Sequence, residues 1–235
     1  MEIRGERECT ECGTRWSYYE TGDVACPSCG SLLSVGVDER ARHTATPVDL
    51  DLSPHRRAVD EGSVADAADE LKSDLREYRR RRGFIDAGDL RDLEDTYLAA
   101  SELLHAVDAY ARLRDPDDAE RLYVLDLLRG ADAGERPAPE AVPESLRGAR
   151  GLGYAEAILS YRGEVVDWLD EGSGPGRRAL GRVVERAKRA RALQGDVPPA
   201  EVEALVRATR EVVAYLRDGD EAALAAAEDR LDRLD

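Results

Sequence analysis

Beyond residue 62 apolar positions recur at alternating steps of three and four, a periodicity that predicts amphipathic helices. Ser63 with Asp66 reads as an amino-terminal cap, and Val64, Ala68, Leu71, Leu75 and Tyr78 follow until Gly83 stops the run. Leu90, Leu93, Tyr97, Ala100, Leu104, Val107 and Ala111 predict a second helix of roughly 25 residues ending before Pro116. Ala119, Leu122, Leu125 and Leu128 predict a third, closed by Gly130. Tyr154, Ile158, Tyr161, Val165 and Trp168 form a fourth stripe before Gly172, and Leu180, Val183, Val184, Ala187 and Ala190 a fifth after Pro175. Val202, Leu205, Thr209, Val212 and Leu216 follow Pro198 and Pro199, and Leu224, Ala227, Leu231 and Leu234 close the chain. The fold class expected is mainly α, with about seven amphipathic helices in antiparallel hairpins or a bundle, heptad-like seams as in a coiled coil, and a small β element at the amino terminus.

That β element begins at Thr14, where Thr14, Trp16 and Tyr18 alternate with Arg15, Ser17 and Tyr19; Gly22 and Asp23 supply a turn, and Val24 starts the return. The organisation expected is a ribbon over 1–36, a connector over 37–62 broken by Pro47 and Pro54, a helical hairpin region over 63–129, an Ala/Pro/Gly-rich linker over 130–150, and a second helical region over 151–235. In the connector, Val48, Leu50 and Leu52 alternate with polar residues and predict one extended segment against the next domain.

The chemistry concentrates at the start. All four cysteines stand there as two knuckles, Cys9-x2-Cys12 and Cys26-x2-Cys29, 13 residues apart, with Gly13 and Gly30 after the second cysteine of each. Two short turns offering paired sulfurs suit a tetrahedral ion, and the spacing falls in the zinc-ribbon pattern. The expected cofactor is one structural Zn2+ per chain held by Cys9, Cys12, Cys26 and Cys29, with iron the lesser alternative because an all-sulfur site suits either metal. Four thiolates close the coordination sphere, which argues against catalysis at the ion. A module this small buries little, so the metal should carry most of its stability.

Elsewhere motifs are absent: no phosphate loop, no nucleophile elbow and no His-Glu-x-x-His occurs. Glu102 and His105 make a Glu-x-x-His on a predicted helix. This resembles the rubrerythrins, which join such a bundle to a four-cysteine iron site and would imply a rubredoxin-like iron redox protein. The second Glu-x-x-His that a di-iron centre needs is missing, because His43 and His55 lie in the connector.

Charge narrows the partners. A formal net charge of -16 opposes bulk attraction to nucleic acid or an anionic membrane. Against it stand Arg76 with Arg79 to Arg82, and a helix on which Arg178, Arg182, Arg186 and Arg189 share an arc of about 80°, a stripe able to track phosphates. Residues 86–126, with 12 acids against four arginines, are an internal partner for such cations. Lys72 and Lys188 are the only lysines among 34 basic residues, and this acidic, arginine-preferring composition resembles cytoplasmic proteins of salt-loving archaea. The first residues hold no secretory apolar stretch and no run of about 18 apolar residues occurs, so a cytoplasmic, halophilic protein is expected.

The knuckles Cys9-Thr10-Glu11-Cys12-Gly13 and Cys26-Pro27-Ser28-Cys29-Gly30 resemble the amino-terminal zinc ribbon of transcription factor B and related archaeal proteins. The resemblance covers about 36 residues and implies metal ligation by the four cysteines. It does not extend to the duplicated five-helix repeats that hold promoter DNA in that family. The function expected is a non-enzymatic interaction module for a protein or nucleoprotein partner of the transcription or RNA machinery.

Overall fold

The structure is a computed structural model that describes residues 1–169 and 174–234. Three small antiparallel sheets and nine α-helices are formed among these residues. The amino-terminal region contains β1 (Glu2–Ile3), β2 (Glu6–Cys9), β3 (Arg15–Ser17), a one-turn α1 (Tyr18–Thr21), β4 (Ser34–Gly36) and β5 (Ala41–Arg42). β2 lies between β3 and β4, while β1 pairs with β5, so strand pairing continues to Arg42. The predicted alternation after the first knuckle lasts only through β3. Tyr18 then enters α1, which Gly22 caps at φ 64, and the return strand is β4 rather than a segment starting at Val24.

The helical body contains α2 (Ser53–Glu61), α3 (Val64–Arg81), a hairpin of β6 (Ile85–Asp86) and β7 (Asp89–Leu90), α4 (Asp95–Tyr110), α5 (Asp118–Gly130), α6 (Arg147–Trp168), α7 (Pro175–Ala192), α8 (Pro199–Asp218) and α9 (Glu221–Asp232). The predicted cap is present: Ser63 Oγ accepts from the Asp66 amide at 3.3 Å. Asp117 and Glu120 form a capping box at α5. Proline begins α7 and α8, where its missing amide costs nothing.

Four readings of the pattern change. The stretch between 37 and 62 is not wholly irregular, because Pro54 sits in the first turn of α2 and starts that helix instead of interrupting it. The long second helix is shorter: α4 spans 16 residues, and Leu90 pairs with Ile85 in a hairpin turned by Ala87 (φ 52) and Gly88 (φ 96). On α5 the buried residues are Tyr123, Val124, Leu127 and Leu128, while Leu122 is 54% exposed. Strict steps of three drift off a 3.6-residue period, so the stripe 119-122-125-128 could not stay on one face. Residues 130–150 hold three short 3-10 turns and the first residues of α6, with Leu146, Ala149 and Arg150 buried. The predicted stop at Gly172 lies outside the described residues.

One continuous apolar core runs from Leu52 to Leu231 and draws on both helical regions. α4 is its centre, buried almost without interruption from Tyr97 to Val107, and packs against α3, α5 and α6. A helix apolar around most of its circumference belongs inside. Gly153 of α6 permits a close crossing, since a Cβ there would lie 2.8 Å from the Ser101 carbonyl oxygen of α4. Val48 and Leu50 pack on this core, as the alternation before α2 predicts.

The ribbon is fastened to the body at residues 43–46. The Thr44 and Ala45 amides both donate to the Ile85 carbonyl at 2.9 Å, and the Thr46 amide donates to Arg81 at 3.3 Å. His43 is buried at this junction, its ring 4.8 Å from that of Tyr19 and its Nδ1 3.3 Å from Asp86. No helix among the described residues is long and apolar enough to cross a membrane.

Candidate metal centre

The two knuckles adopt one conformation twice. The Cys9 amide donates to the Thr14 carbonyl at 2.9 Å and the Gly13 amide to the Cys9 carbonyl at 3.0 Å; the Cys26 and Gly30 amides repeat this with Ser31 at 2.9 Å and Cys26 at 2.8 Å. The turns need positive φ at their last position, and Gly13 and Gly30 supply it at 74° and 73°. The strand β2 delivers Cys9, and the Thr10 amide donates to Leu33 at 3.0 Å, which ties the first knuckle to the chain leaving the second.

The four sulfurs converge, all within 4.8 Å of one another, and none is in a disulfide. Cys9 and Cys29 stand 3.7 Å apart and Cys12 and Cys26 3.6 Å. A tetrahedral ion with sulfur at about 2.3 Å places its ligands about 3.8 Å apart, and these two pairs match that spacing. Cys9 and Cys26 are buried and Cys12 and Cys29 exposed. Trp16 completes the inner side: it packs with Cys9 and Cys26, and its Nε1 donates to the Asp23 carbonyl at 3.1 Å.

The electrostatics call for a cation. The Thr14 hydroxyl, 3.2 Å from the Cys12 sulfur, and the Thr14 amide lower the Cys12 thiol to about 6. At Cys29 the Ser31 amide favours the thiolate, but the hydrogen bond with Cys12, desolvation and the remaining sulfurs outweigh it and push the thiol up to about 12. A divalent ion binds the thiolate form, so its binding would release the proton that Cys29 retains.

Glu102 and His105, neighbours on α4, do not act together. Glu102 is fully buried, accepts from Arg150 Nε at 2.7 Å and Tyr154 Oη at 2.8 Å, and also binds the Tyr123 hydroxyl. His105 turns instead to Glu156, with Nε2 3.0 Å from its carboxylate. The Glu156 carboxyl is held down at about 2, first by that hydrogen bond and further by Arg79, against the opposing effect of burial. Among the described residues the four cysteines alone form a cluster able to hold a metal. Arg150 stood in the predicted linker and carried no signal beyond its setting, Gly148-Ala149-Arg150-Gly151, where small neighbours allow a helix to come close.

The arginine stripe on α7 is divided. Arg182 donates to Asp232 at 2.6 Å and Arg186 to the Leu231 carbonyl at 2.9 Å, so both hold the end of α9, while Arg178 and Arg189 are exposed. Arg79 of α3 binds Glu156 at 3.1 Å, and Arg82, just past the end of that helix, binds Glu94 at 2.5 Å. A cleft of about 720 Å³ between ribbon and body is lined by Tyr19, Tyr78, Arg82, Arg91, Glu94 and Asp132. Its two arginines are matched by Glu94 and Asp86.

No curated protein and no solved structure matches the chain. A family of unknown function, DUF7117, matches residues 1–231, and the chain belongs to that family.

Proposed function

We propose that the chain is a zinc-stabilised, non-enzymatic interaction module whose ribbon docks a protein or nucleoprotein partner, in the transcription or RNA setting that its knuckles resemble. Cys9, Cys12, Cys26 and Cys29 would hold the ion, and the observation that carries the reading is their mutual approach within 4.8 Å. Bound zinc supplies a cross-link between two turns. Four thiolates leave it no position for water or substrate.

Docking is supported by where apolar surface is left uncovered. Met1, Val24, Leu32, Leu33, Val35 and Val37 are exposed in the ribbon, against Leu122 and Leu193 as the large apolar residues exposed in the helical body. An excess of exposed apolar residues in one small region supports an interaction role for it.

Two measurements test the reading. Elemental analysis of purified protein should give one zinc per chain, and two or three irons would replace the proposal with a redox one. Intact protein should capture partners that the Cys26→Ser variant loses. Identical partner sets would remove the ribbon from the mechanism.

A further inference from the structure

Resting on that docking role, we propose that the outer edge of β4 is a strand-addition site for an extended, basic segment of a partner protein. β4 ends its sheet, whose order is β3-β2-β4. The Leu33 carbonyl accepts from Thr10 at 3.0 Å and the Val37 amide donates to Glu6 at 2.8 Å, so residues 33, 35 and 37 turn their main-chain groups towards β2. By the two-residue alternation of an antiparallel ladder, Ser34 and Gly36 turn theirs outward. The contact on that side is Arg4 Nη1 to the Gly36 carbonyl at 3.5 Å. Among the described residues the Ser34 amide, the Ser34 carbonyl and the Gly36 amide meet no protein partner.

The side chains agree with the backbone. Leu33, Val35 and Val37 share one face at 61%, 51% and 45% exposure, opposite Thr10 just past β2 and Glu8 and Glu6 within it. Natural edge strands are commonly blunted by lysine or proline, and Ser34-Val35-Gly36 carries neither. An apolar row beside an open ladder is the arrangement that captures an extended chain.

Charge selects the occupant. Glu8 is neutralised by Arg15 at 2.6 Å, whereas Glu6 and Glu11 have no ion pair among the described residues. A second copy is disfavoured by the formal charge of -16, which makes two copies repel while it attracts a basic segment. The fitting segment places aliphatic residues opposite Leu33 and Val35 and lysine or arginine opposite Val37. The stem of that cation lies on the apolar row and its charge meets Glu6, opposite Val37 on β2. The segment's other face, towards Arg4 and Arg7, is uncharged.

The test is a nuclear magnetic resonance titration of the full, zinc-loaded chain with a synthetic antiparallel strand of alternating threonines whose other face reads lysine, valine, valine, the lysine falling opposite Val37. Binding should shift the Ser34 and Gly36 amide signals and slow their exchange. A glutamate-for-lysine counterpart, and a strand N-methylated at its ladder amides, should each bind about ten-fold more weakly or worse. Val35→Glu should lose the same factor while retaining its metal, and Val35→Thr provides the milder variant if it does not. No binding of the basic strand, equal binding of either counterpart, or shifts confined to the helices would overturn the site. Should partner capture depend on zinc while these strands fail, docking stands and strand addition falls; capture indifferent to zinc removes both.

Discussion

The ribbon and the helical body solve the problem of holding a fold by different means. The ribbon's apolar cluster is Cys9, Trp16 and Cys26, two of them metal-ligand candidates, while Met1, Val24, Leu32, Leu33, Val35 and Val37 are exposed. The body buries a core that runs from Leu52 to Leu231 and pairs its most deeply buried charges, Arg150 and Glu102, with each other. Stability drawn from an ion frees side chains for a surface, whereas stability drawn from burial consumes them. On the proposed reading, recognition falls to the ribbon and support to the helices.

Removing the metal should separate the two regions most sharply. Structural zinc in small domains contributes about 10–16 kcal/mol, so chelation, or Cys26→Ser, should unfold the ribbon and expose Trp16. The far-ultraviolet helical signal should persist. Loss of helix together with ribbon would show that the body depends on the ion.

The next largest effect belongs to the body alone. Glu102→Ala leaves Arg150 and the Tyr123 and Tyr154 hydroxyls facing a vacated buried site, and should cost about 3–5 kcal/mol by urea denaturation with metal content unchanged. Gly153→Ala, which drives a methyl against the Ser101 carbonyl, should cost about 1–3 kcal/mol. A value near zero would mean that α4 and α6 can part without penalty.

The smallest effect is a pH dependence. Glu156 is depressed to about 2 from an ordinary 4.5, so the charged form is favoured on folding. Its contribution is complete above about pH 4.5 and is lost as pH falls towards 2, roughly 1–2 kcal/mol once solvent screening is allowed for. Glu156→Gln should flatten this acid limb. An unchanged limb would place the acid sensitivity elsewhere.

Much of this was legible in residue order. Two Cys-x2-Cys pairs followed by glycine define their turns locally, so the cluster could be read without knowing the rest of the chain. Helical stripes on α3, α6, α7 and α8 were legible because the buried residues keep the helical period. The centre of the body was not. Leu90 and Leu93 continue the spacing of α4 although a hairpin precedes it, and nothing local distinguishes a leucine buried by a turn from one buried by a helix. Arg150 and Glu102 find each other across 48 residues, a pairing that only the packing of α6 on α4 creates. The open edge of β4 was equally hidden, since edge position depends on strand order.

X-ray absorption at the zinc edge of the purified protein reads the coordination of the ion itself. One zinc per chain surrounded by four sulfurs at about 2.3 Å with no lighter ligand is expected. A nitrogen or oxygen in the first shell, or protein that carries no zinc, would contradict that expectation.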